Sequence, residues 1–323
     1  MNVFFEKFTK TIKNYNTIIL ATHKNMDLDG FSSCLCLFNI INKMKINCYI
    51  YLNREQQNKS INKTMDKLDK EKYYYNALYE DNLNDVDFNN SLLVIIDVHK
   101  QTMIENDKLL GMVNDTIVID HHIKNDNYIK NTKLLYINSS LSSTSELFVN
   151  YSKYMNYTID SLLATIMLAA IEIDTNGFNF KTSEHTYEAA AYLTKLGANP
   201  IIKKELLRES KDIYLKRQFY IEQSYLIDDN IMICEINDIV SSYELAVIAD
   251  ALLEFENVEA SFCIGRLDEF TVGISARSIG NINVQEIMRK LGGGGHITEA
   301  ATKMNDLSVE GCRINLLKII NGR

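Results

Sequence analysis

The chain of 323 residues has no tryptophan, one proline and six cysteines, none of which forms a CxxC pair. Cys34 and Cys36 are two positions apart, a spacing that suits neither a zinc knuckle nor the disulfide framework of a small secreted fold. Most of the cysteines lie in apolar runs, where we expect buried small hydrophobic residues in a reducing cytosol. The scarcity of tryptophan and proline excludes no function.

Long apolar runs are also missing. The longest apolar stretch near a helix, Leu162–Ile173, contains Glu172 and is shorter than the roughly 20 residues that span a bilayer. The N-terminus has no basic region followed by an apolar one, so no secretion signal is expected. We therefore predict a soluble, cytoplasmic protein without a membrane partner.

Positive charge is in deficit, because 34 Lys and Arg face 42 Asp and Glu and give a net charge of −8. An acidic surface repels a long polyanion, which argues against long nucleic acids and against a processive single-strand exonuclease. A small phosphorylated substrate remains compatible with this charge, because bound cations can invert the local field.

The first half of the chain alternates apolar strand patterns with helical ones. Continuous apolar strands separated by helices predict a parallel sheet that is covered on both faces. The predicted strands are Thr17–Thr22, Ile46–Leu52, Leu92–Val98, Thr116–Ile119 and Leu134–Ile137. The second half predicts a smaller α+β domain. We place an α/β domain at 1–199, a helical linker at 200–226 and the α+β domain at 227–323.

Polar side chains follow three of the predicted strands. His23, Asp27 and Asp29 come after the first, Asp97 ends another, and Asp120-His121-His122 ends the next. In open α/β sheets, ligands collect at the carboxyl ends of the strands. Taken singly, these residues could equally be turn residues, helix caps or solvated strand ends.

Asp174 ends an apolar helix, where a negative charge opposes the helix dipole and indicates a positive group nearby. His99, two residues after Asp97, is expected to line the site rather than to bind metal.

Oxygen and imidazole donors without thiolate favour Mn²⁺, with Mg²⁺ or Fe²⁺ as alternatives. Two ions bridged by carboxylates form a clamp for in-line displacement at phosphorus. The predicted metal ligands are His23, Asp27, Asp29, Asp97, His121 and Asp174.

A second set of candidates lies near the C-terminus. Ser275 and Arg277 share one side of a predicted strand, and arginine offers bidentate hydrogen bonds to phosphate. The following glycine run gives backbone amides free of side chains, suited to close approach by a phosphate or base. A surface arginine and a helix C-cap are the alternatives, and no P-loop is present because no Gly-Lys-Ser/Thr follows. The run consists of Gly292, Gly293, Gly294, Gly295 and His296.

These motifs, in this order, resemble the DHH phosphoesterase family. The motifs that carry the resemblance are His23-x-x-x-Asp27-x-Asp29, Asp97, Asp120-His121-His122, Asp174-Thr175 and, for the family's associated C-terminal domain, Gly292–Gly295-His296. The match covers nearly the whole chain. The stretch 265–301 is similar to the catalytic region of membrane-anchored cyclic-di-AMP phosphodiesterases, whose anchor, sensory and cyclase-like domains we expect to be absent here.

The resemblance implies a role for each matched residue. His23 and Asp27 would bind one metal ion, Asp29 and His121 the other, and Asp97 and Asp174 would bridge the pair. Asp120 would orient the neighbouring imidazole, and His122 would face the phosphate. Ser143 and Thr144 would line the nucleotide pocket, although Ser143 and Glu146 also have the spacing of a capping box. Arg277 and the glycine run would hold the substrate.

The implied reaction is the attack of a metal-bridging hydroxide on phosphorus, which opens cyclic di-AMP to linear diadenylate and leads on to AMP. One alternative is a nanoRNase or 3′-phosphatase acting on linear dinucleotides or 3′-phosphoadenosine phosphate. A family-related pyrophosphatase would leave the glycine run without a use. An alternative of another class is a non-catalytic nucleotide sensor. The presence of residues able to bind metal at all six ligand positions weighs against it. Relatives often form dimers, so a homodimer stays open.

Overall fold

The computed structural model describes residues 1–55, 58–124 and 126–322. The chain divides into two compact units, Met1–Arg208 and Glu209–Arg323. The predicted fold class is confirmed, because the first unit contains an all-parallel sheet and the second a mixed sheet with helices. The predicted linker at 200–226 contains two helices, and the boundary between the units falls between them.

The first unit is built on six parallel strands in the order β3-β2-β1-β4-β5-β6. The strands are β1 Thr17–Ala21, β2 Asn47–Tyr51, β3 Ala77–Leu78, β4 Ser91–Ile96, β5 Asp115–Asp120 and β6 Leu134–Ile137. Ile18 and Leu20 of β1 pack in one core, and Ile19 and Ala21 pack in another. Burial on both faces explains why this strand reads as a continuous apolar run.

The direction of winding reverses between β1 and β4. From β1 the chain proceeds outward to β3, and from β4 it proceeds outward the other way to β6. In open α/β sheets, the loops at such a switch point splay apart and leave a crevice beyond the carboxyl ends of the strands. The segments that follow β1 and β4 therefore flank the natural ligand position of this unit.

Helices cover both faces of this sheet. α2 packs against both α5 and α6, and α6 contacts α7 and α8. The helices are α1 Asn2–Ile12, α2 Leu28–Lys43, α3 Lys59–Lys70, α4 Leu109–Met112, α5 Thr144–Tyr154, α6 Ser161–Asp174, α7 Glu184–Lys195 and α8 Pro200–Leu207, with short 3-10 helices at Glu80–Asp85 and Gln101–Met103. The helices α1, α3 and α4, the two 3-10 helices and the two-residue strand β3 are not among the elements predicted from the sequence.

The second unit contains a six-stranded sheet in the order β11-β12-β10-β9-β8-β7, in which β8 and β9 are parallel and the other neighbours antiparallel. Phe262 packs in a core with α11 and α12, while the adjacent Cys263 packs in a core with α9 and α10. The elements are α9 Lys211–Glu222, β7 Tyr225–Ile227, β8 Ile231–Ile239, α10 Ser242–Leu252, β9 Ala260–Arg266, β10 Thr271–Ser278, α11 Val284–Lys290, β11 Gly294–Gly295, β12 Glu299–Asn305 and α12 Val309–Asn321.

Among residues 1–55, 58–124 and 126–322, no helix is both long and apolar enough to cross a membrane. All six cysteines are buried free thiols, as the apolar context of their positions predicts.

The four consecutive glycines of the second unit meet different surroundings. Gly292 follows α11 with a φ of +81°, a left-handed conformation that favours glycine after a helix. A Cβ on Gly293 would lie 2.2 Å from the carbonyl oxygen of Ala301, and one on Gly295 would lie 2.4 Å from the Cα of Ala300. A Cβ on Gly294 would meet no atom within 4 Å. The pairing of β11 with β12 thus requires glycine at 293 and 295 but not at 294.

The adjacent variants Gly293→Ala and Gly294→Ala test this difference. We expect Gly293→Ala to destabilise the protein by about 1–3 kcal/mol, because the new methyl meets backbone that must move. Gly294→Ala should be neutral or stabilising by up to about 1 kcal/mol, because alanine restricts the unfolded chain and fits the open space. Thermal unfolding followed by circular dichroism measures both, and equal losses for the two variants would contradict the assignment.

Candidate metal centre

The loop that joins β1 to α2 brings three polar side chains to the switch point. Asp27 caps α2, since its Oδ1 accepts a hydrogen bond from the amide of Gly30 at 3.0 Å, and the same oxygen lies 3.5 Å from His23 Nε2. Asp29 is buried in the first turn of α2. A Cβ at Gly30 would lie 2.4 Å from Thr22 Oγ1, so glycine lets the helix start close against the end of the strand.

Asp97 follows β4 and lies between two imidazoles. Its Oδ1 is 3.3 Å from His121 Nε2, and its Oδ2 is 3.5 Å from His23 Nε2. Its backbone takes a φ of +64°, in the left-handed region that aspartate tolerates better than most residues. Its side chain is buried, and its amide donates to Ile119 at 2.8 Å. The strand end therefore turns this carboxylate towards ligands on both sides.

The Asp120-His121-His122 segment leaves β5 at its last residue. The sequence predicts that His121 and His122 point to opposite sides if the strand continues, but the strand ends at Asp120. Because the backbone is no longer extended there, both rings reach Asp97, with His122 Nδ1 3.6 Å from Asp97 Oδ1. Asp120 is buried and its Oδ1 accepts from His122 Nδ1 at 2.8 Å. The structure thus places Asp120 where it orients the neighbouring imidazole.

Asp174 is the last residue of α6, and its Oδ2 lies 3.5 Å from His121 Nε2. This long apolar helix delivers a carboxylate to the cluster from outside the sheet. The helix end disfavours the negative charge, so the position is stable only with positive charge nearby.

The structure brings all six predicted ligands into one connected cluster. Within each of three groups, the ligand atoms lie within 4.8 Å of one another. The groups are His23, Asp27 and Asp97; Asp29, His121 and Asp174; and Asp97, His121 and His122. Asp97 belongs to the first group and contacts His121 of the second, as a bridging residue would. Asp174 lies with Asp29 and His121, so its bridging role stays a prediction.

The protonation of the cluster reflects its crowded negative charge. Burial lowers the pKa of His23, but hydrogen bonds with Asp27 and Asp97 outweigh burial and raise it to about 12. Burial likewise opposes the charged form of His121, while its hydrogen bond and ion pair with Asp97 raise its pKa to about 10. These imidazoles hold protons at neutral pH because the surrounding carboxylates stabilise the positive charge.

The carboxylates respond in two ways. Burial and then the charge of Asp97 raise the pKa of Asp29 to about 7. Burial, followed by the charges of Asp29 and Asp27, raises the pKa of Asp174 above its usual range. Burial would also raise the pKa of Asp97, but hydrogen bonds with His121 and His23 outweigh it and lower the value. Without cations, the cluster therefore takes up protons to balance its charge.

The donor set fits divalent metal ions. It offers carboxylate oxygens and imidazole nitrogens without a thiolate, the combination that suits Mn²⁺ and related ions. Asp97 Oδ2 is buried, and among the described residues its only close donor is His23 Nε2 at the long distance of 3.5 Å, so this oxygen keeps a lone pair for ligation. Ions at this position would replace protons as the compensating charge.

The first turn of α5 holds two of the carboxylates in place. Asp29 accepts from the amide of Thr144 through Oδ2 and from the amide of Ser145 through Oδ1, each at 2.7 Å. The Thr144 hydroxyl donates to Asp97 Oδ1 at 3.1 Å, and Ser143 caps α5 by accepting from the amide of Glu146. The positive end of α5 therefore stabilises these negative charges.

Ser143 and Thr144 are buried and use their hydroxyls within the protein. In the structure Ser143 is the N-cap of α5, as the alternative interpretation of its sequence position predicts. Lining of a nucleotide pocket by these two residues stays a prediction.

The remaining candidates lie in the second unit. Arg277 on β10 donates through Nε to Asp250 Oδ1 at 2.8 Å and through Nη1 to Ser275 Oγ at 3.1 Å. Asp250 and Ser275 thus fix the guanidinium. His296 is half-buried after the glycine run. Of the four glycines, Gly294 alone has neither a positive φ nor a close neighbour that requires glycine, so it is the best candidate for close approach by a ligand.

Family comparisons agree with this arrangement. The model of the DHH family, N-terminal domain, matches residues 17–171, and that of the DHHA1 domain matches residues 228–322. The chain belongs to the DHH family. The resemblance drawn from the sequence motifs is thereby confirmed.

Similar curated proteins include a Bacillus subtilis protein named cyclic-di-AMP phosphodiesterase GdpP, 33% identical over 301 residues, which are 91% of this chain and 46% of that one. The cyclic-di-AMP phosphodiesterase PdeA of Listeria monocytogenes is 30% identical over 331 residues, 99% of this chain and 49% of that one. The DHH-family chain described here spans about half the length of these curated relatives.

Among solved structures, an exopolyphosphatase-related protein from Bacteroides fragilis matches with a TM-score of 0.76 at 17% identity. The match covers 98% of this chain and 96% of that one. At this level of identity, the likeness shows that this chain and that protein share a fold.

Sequence reasoning placed the predicted metal ligands at strand ends but missed the groups that hold them. The amides of Thr144 and Ser145 leave no mark in residue types, and Asp250 lies on a different element from Arg277. His99 was expected to line the site, whereas it is buried and its Nδ1 is hydrogen-bonded to Asp120 Oδ2. The one feature of the sequence that indicates a role for His99 near the cluster is its position two residues after Asp97.

The raised pKa values make metal binding dependent on pH. At pH 7 His23 and His121 hold protons, and both must lose them before nitrogen can bind a cation. We expect Mn²⁺ binding to release at least two protons at pH 7, because Asp29 and Asp174, whose pKa values are also raised, add to the protons of the two imidazoles. Affinity should fall roughly tenfold per released proton for each unit decrease in pH. Isothermal titration calorimetry in buffers of different ionisation enthalpy measures the release. Binding without proton release would contradict the assignment of these imidazoles as ligands.

Proposed function

We propose that this DHH-family protein is a metal-dependent phosphodiesterase that hydrolyses cyclic di-AMP to linear diadenylate and on to AMP. The observation that carries the proposal is Asp97, whose two carboxylate oxygens face His121 on one side and His23 on the other at 3.3 and 3.5 Å. One residue thus links two groups of ligands, as a paired-ion site requires.

In this proposal the cluster holds two divalent cations, most suitably Mn²⁺. His23 and Asp27 would hold one, Asp29 and His121 would hold the other, and Asp97 and Asp174 would contribute to both. Bound there, the pair of ions supplies a nucleophile at neutral pH and neutralises the charge that develops at phosphorus. The amides at the start of α5 aim Asp29 at the cluster and favour its ionised form against the effect of burial.

The protein's own groups orient the phosphate. His122 is the most exposed imidazole of the cluster, with 54% of its side chain accessible, and its Nδ1 is fixed by Asp120. Its Nε2 is therefore presented for hydrogen bonding to the phosphate. Arg277, in the second unit, is itself suited to bind a phosphate, because Asp250 and Ser275 already fix its guanidinium.

The substrate is proposed from two sources. The relatives at 30–33% identity over most of this chain are named cyclic-di-AMP phosphodiesterases. The glycine at 294, for which the fold has no need, suits close approach by a base or a phosphate. Linear dinucleotides and 3′-phosphoadenosine phosphate use the same chemistry, and they are the alternatives that the assay separates.

The test is a product assay with purified protein and Mn²⁺ on cyclic di-AMP, linear diadenylate and 3′-phosphoadenosine phosphate side by side. We expect cyclic di-AMP to be consumed first, with linear diadenylate detected by chromatography before AMP. Chelation of the metal should stop turnover. Preferential release of phosphate from 3′-phosphoadenosine phosphate would overturn the substrate assignment. Nucleotide binding without metal-dependent product would indicate a sensor.

Asp97→Asn tests the linking carboxylate. The amide keeps the shape but loses the negative charge between His23 and His121, so kcat should fall by more than about 100-fold, beyond the usual cost of losing an outer-shell partner. Asp66→Asn, at an exposed position on α3, is the matched control and should retain full activity. Circular dichroism checks that both variants fold. A folded Asp97→Asn variant with full activity would rule out the bridging role.

A further inference from the structure

His99 is a buried histidine next to the cluster that the proposed mechanism does not use. It lies in the segment after β4, is 2% exposed, and its Nδ1 is hydrogen-bonded to Oδ2 of Asp120 at the end of β5. Its carbonyl oxygen accepts from the amide of Ile129 at 2.8 Å. The imidazole therefore connects the segments that follow two neighbouring strands, each of which carries predicted metal ligands.

The two oxygens of Asp120 have separate partners. Oδ2 accepts from His99, while Oδ1 accepts from the backbone amide of His122 at 3.0 Å and from its Nδ1 at 2.8 Å. A carboxylate only accepts hydrogen bonds, so both imidazoles donate through Nδ1. With Nδ1 of His122 bound to Asp120, the exposed Nε2 is the ring atom left for the phosphate, to which it donates when it carries a proton.

Neither metal binding nor simple packing accounts for His99. It belongs to none of the three metal-binding groups found among the described residues. Its Nε2 is buried and has no hydrogen-bond partner in the part of the chain that the structure describes. A buried nitrogen without a partner costs free energy, and an apolar side chain of similar size would avoid that cost. The contribution that an apolar side chain could not make is the hydrogen bond that His99 donates to Asp120.

We propose that His99 is a positioning residue that acts through Asp120 to hold His122 in one ring orientation. The inference rests on the proposed function, in which His122 meets the phosphate. With Oδ2 held by His99, the carboxylate plane is fixed and Oδ1 stays in line with the ring of His122. Without that bond the carboxylate can rotate, and the ring of His122 loses its fixed partner.

The first test compares His99→Leu, which has no donor, with His99→Asn, whose amide can donate from near the position of Nδ1. His99→Leu should lower kcat by about 10–100-fold while KM and the affinity for Mn²⁺ stay unchanged. His99→Asn should retain most of kcat. His185→Leu, at an exposed position, is the control and should behave as wild type. If His99→Leu does not fold, His99→Gln replaces it, because its amide lies nearer the position of Nε2.

A double-mutant cycle tests whether His99 acts through Asp120. Once Asp120→Asn has removed the carboxylate, adding His99→Leu should cause no further loss of kcat. Losses that multiply would show that the two residues act independently and would overturn the proposal. A fall in Mn²⁺ affinity parallel to kcat would also overturn it, because the effect would then run through Asp97 instead.

A spectroscopic readout makes the test independent of turnover. In the full chain, the ¹H–¹⁵N signal of the His122 Nδ1–H bound to Asp120 should be visible and protected from solvent exchange in wild type and in His99→Asn, and broadened or lost in His99→Leu. An unchanged His122 signal in His99→Leu would refute the positioning role. Absence of turnover in wild type would instead refute the proposed function, so the two failures are distinguishable.

Discussion

The compensation of negative charge around Asp97 is the constraint on which the site depends. Asp27, Asp29, Asp97 and Asp174 approach one another at the end of a parallel sheet, and their repulsion must be balanced. Protonated imidazoles and two carboxyl pKa values raised by burial provide this balance in the protein alone. Divalent cations can balance the same charge without protons, so the arrangement is suited to exchange one for the other.

The crowded carboxylates are accommodated by local features that have no other role in the fold. The first turn of α5 directs two amides at Asp29, although an ordinary helix start would direct them at a capping side chain or water. Asp97 adopts a left-handed backbone conformation at the end of its strand. Gly30 lets α2 begin against the end of β1. Such local irregularities, concentrated at one edge of a regular sheet, indicate a site selected for chemistry.

Hydrophobic pattern and residue type sufficed to predict the central strands, because β1 and β4 are buried on both faces and read as unbroken apolar runs. They also placed His23 and Asp97 at neighbouring strand ends. Contacts between residues that are distant in the sequence leave no such pattern of residue types. Asp29 meets Ser145 across 116 positions through a backbone amide. The turn after β5 brought both imidazoles to Asp97, against the alternation of an extended strand. Amphipathic α1 and α3 and the shortest strands were missed.

Reaction chemistry and substrate recognition have separate structural origins in this chain. The carboxylates and imidazoles of the first unit specify a cation site, and cations act on any phosphate ester that reaches them. Nothing in that donor set distinguishes one base from another. The second unit offers a fixed guanidinium at Arg277 and an open backbone at Gly294, which take no part in that charge compensation and are proposed to contact the substrate. Changes around Arg277 or Gly294 should therefore alter which substrate binds, whereas changes around Asp97 alter whether any is cleaved.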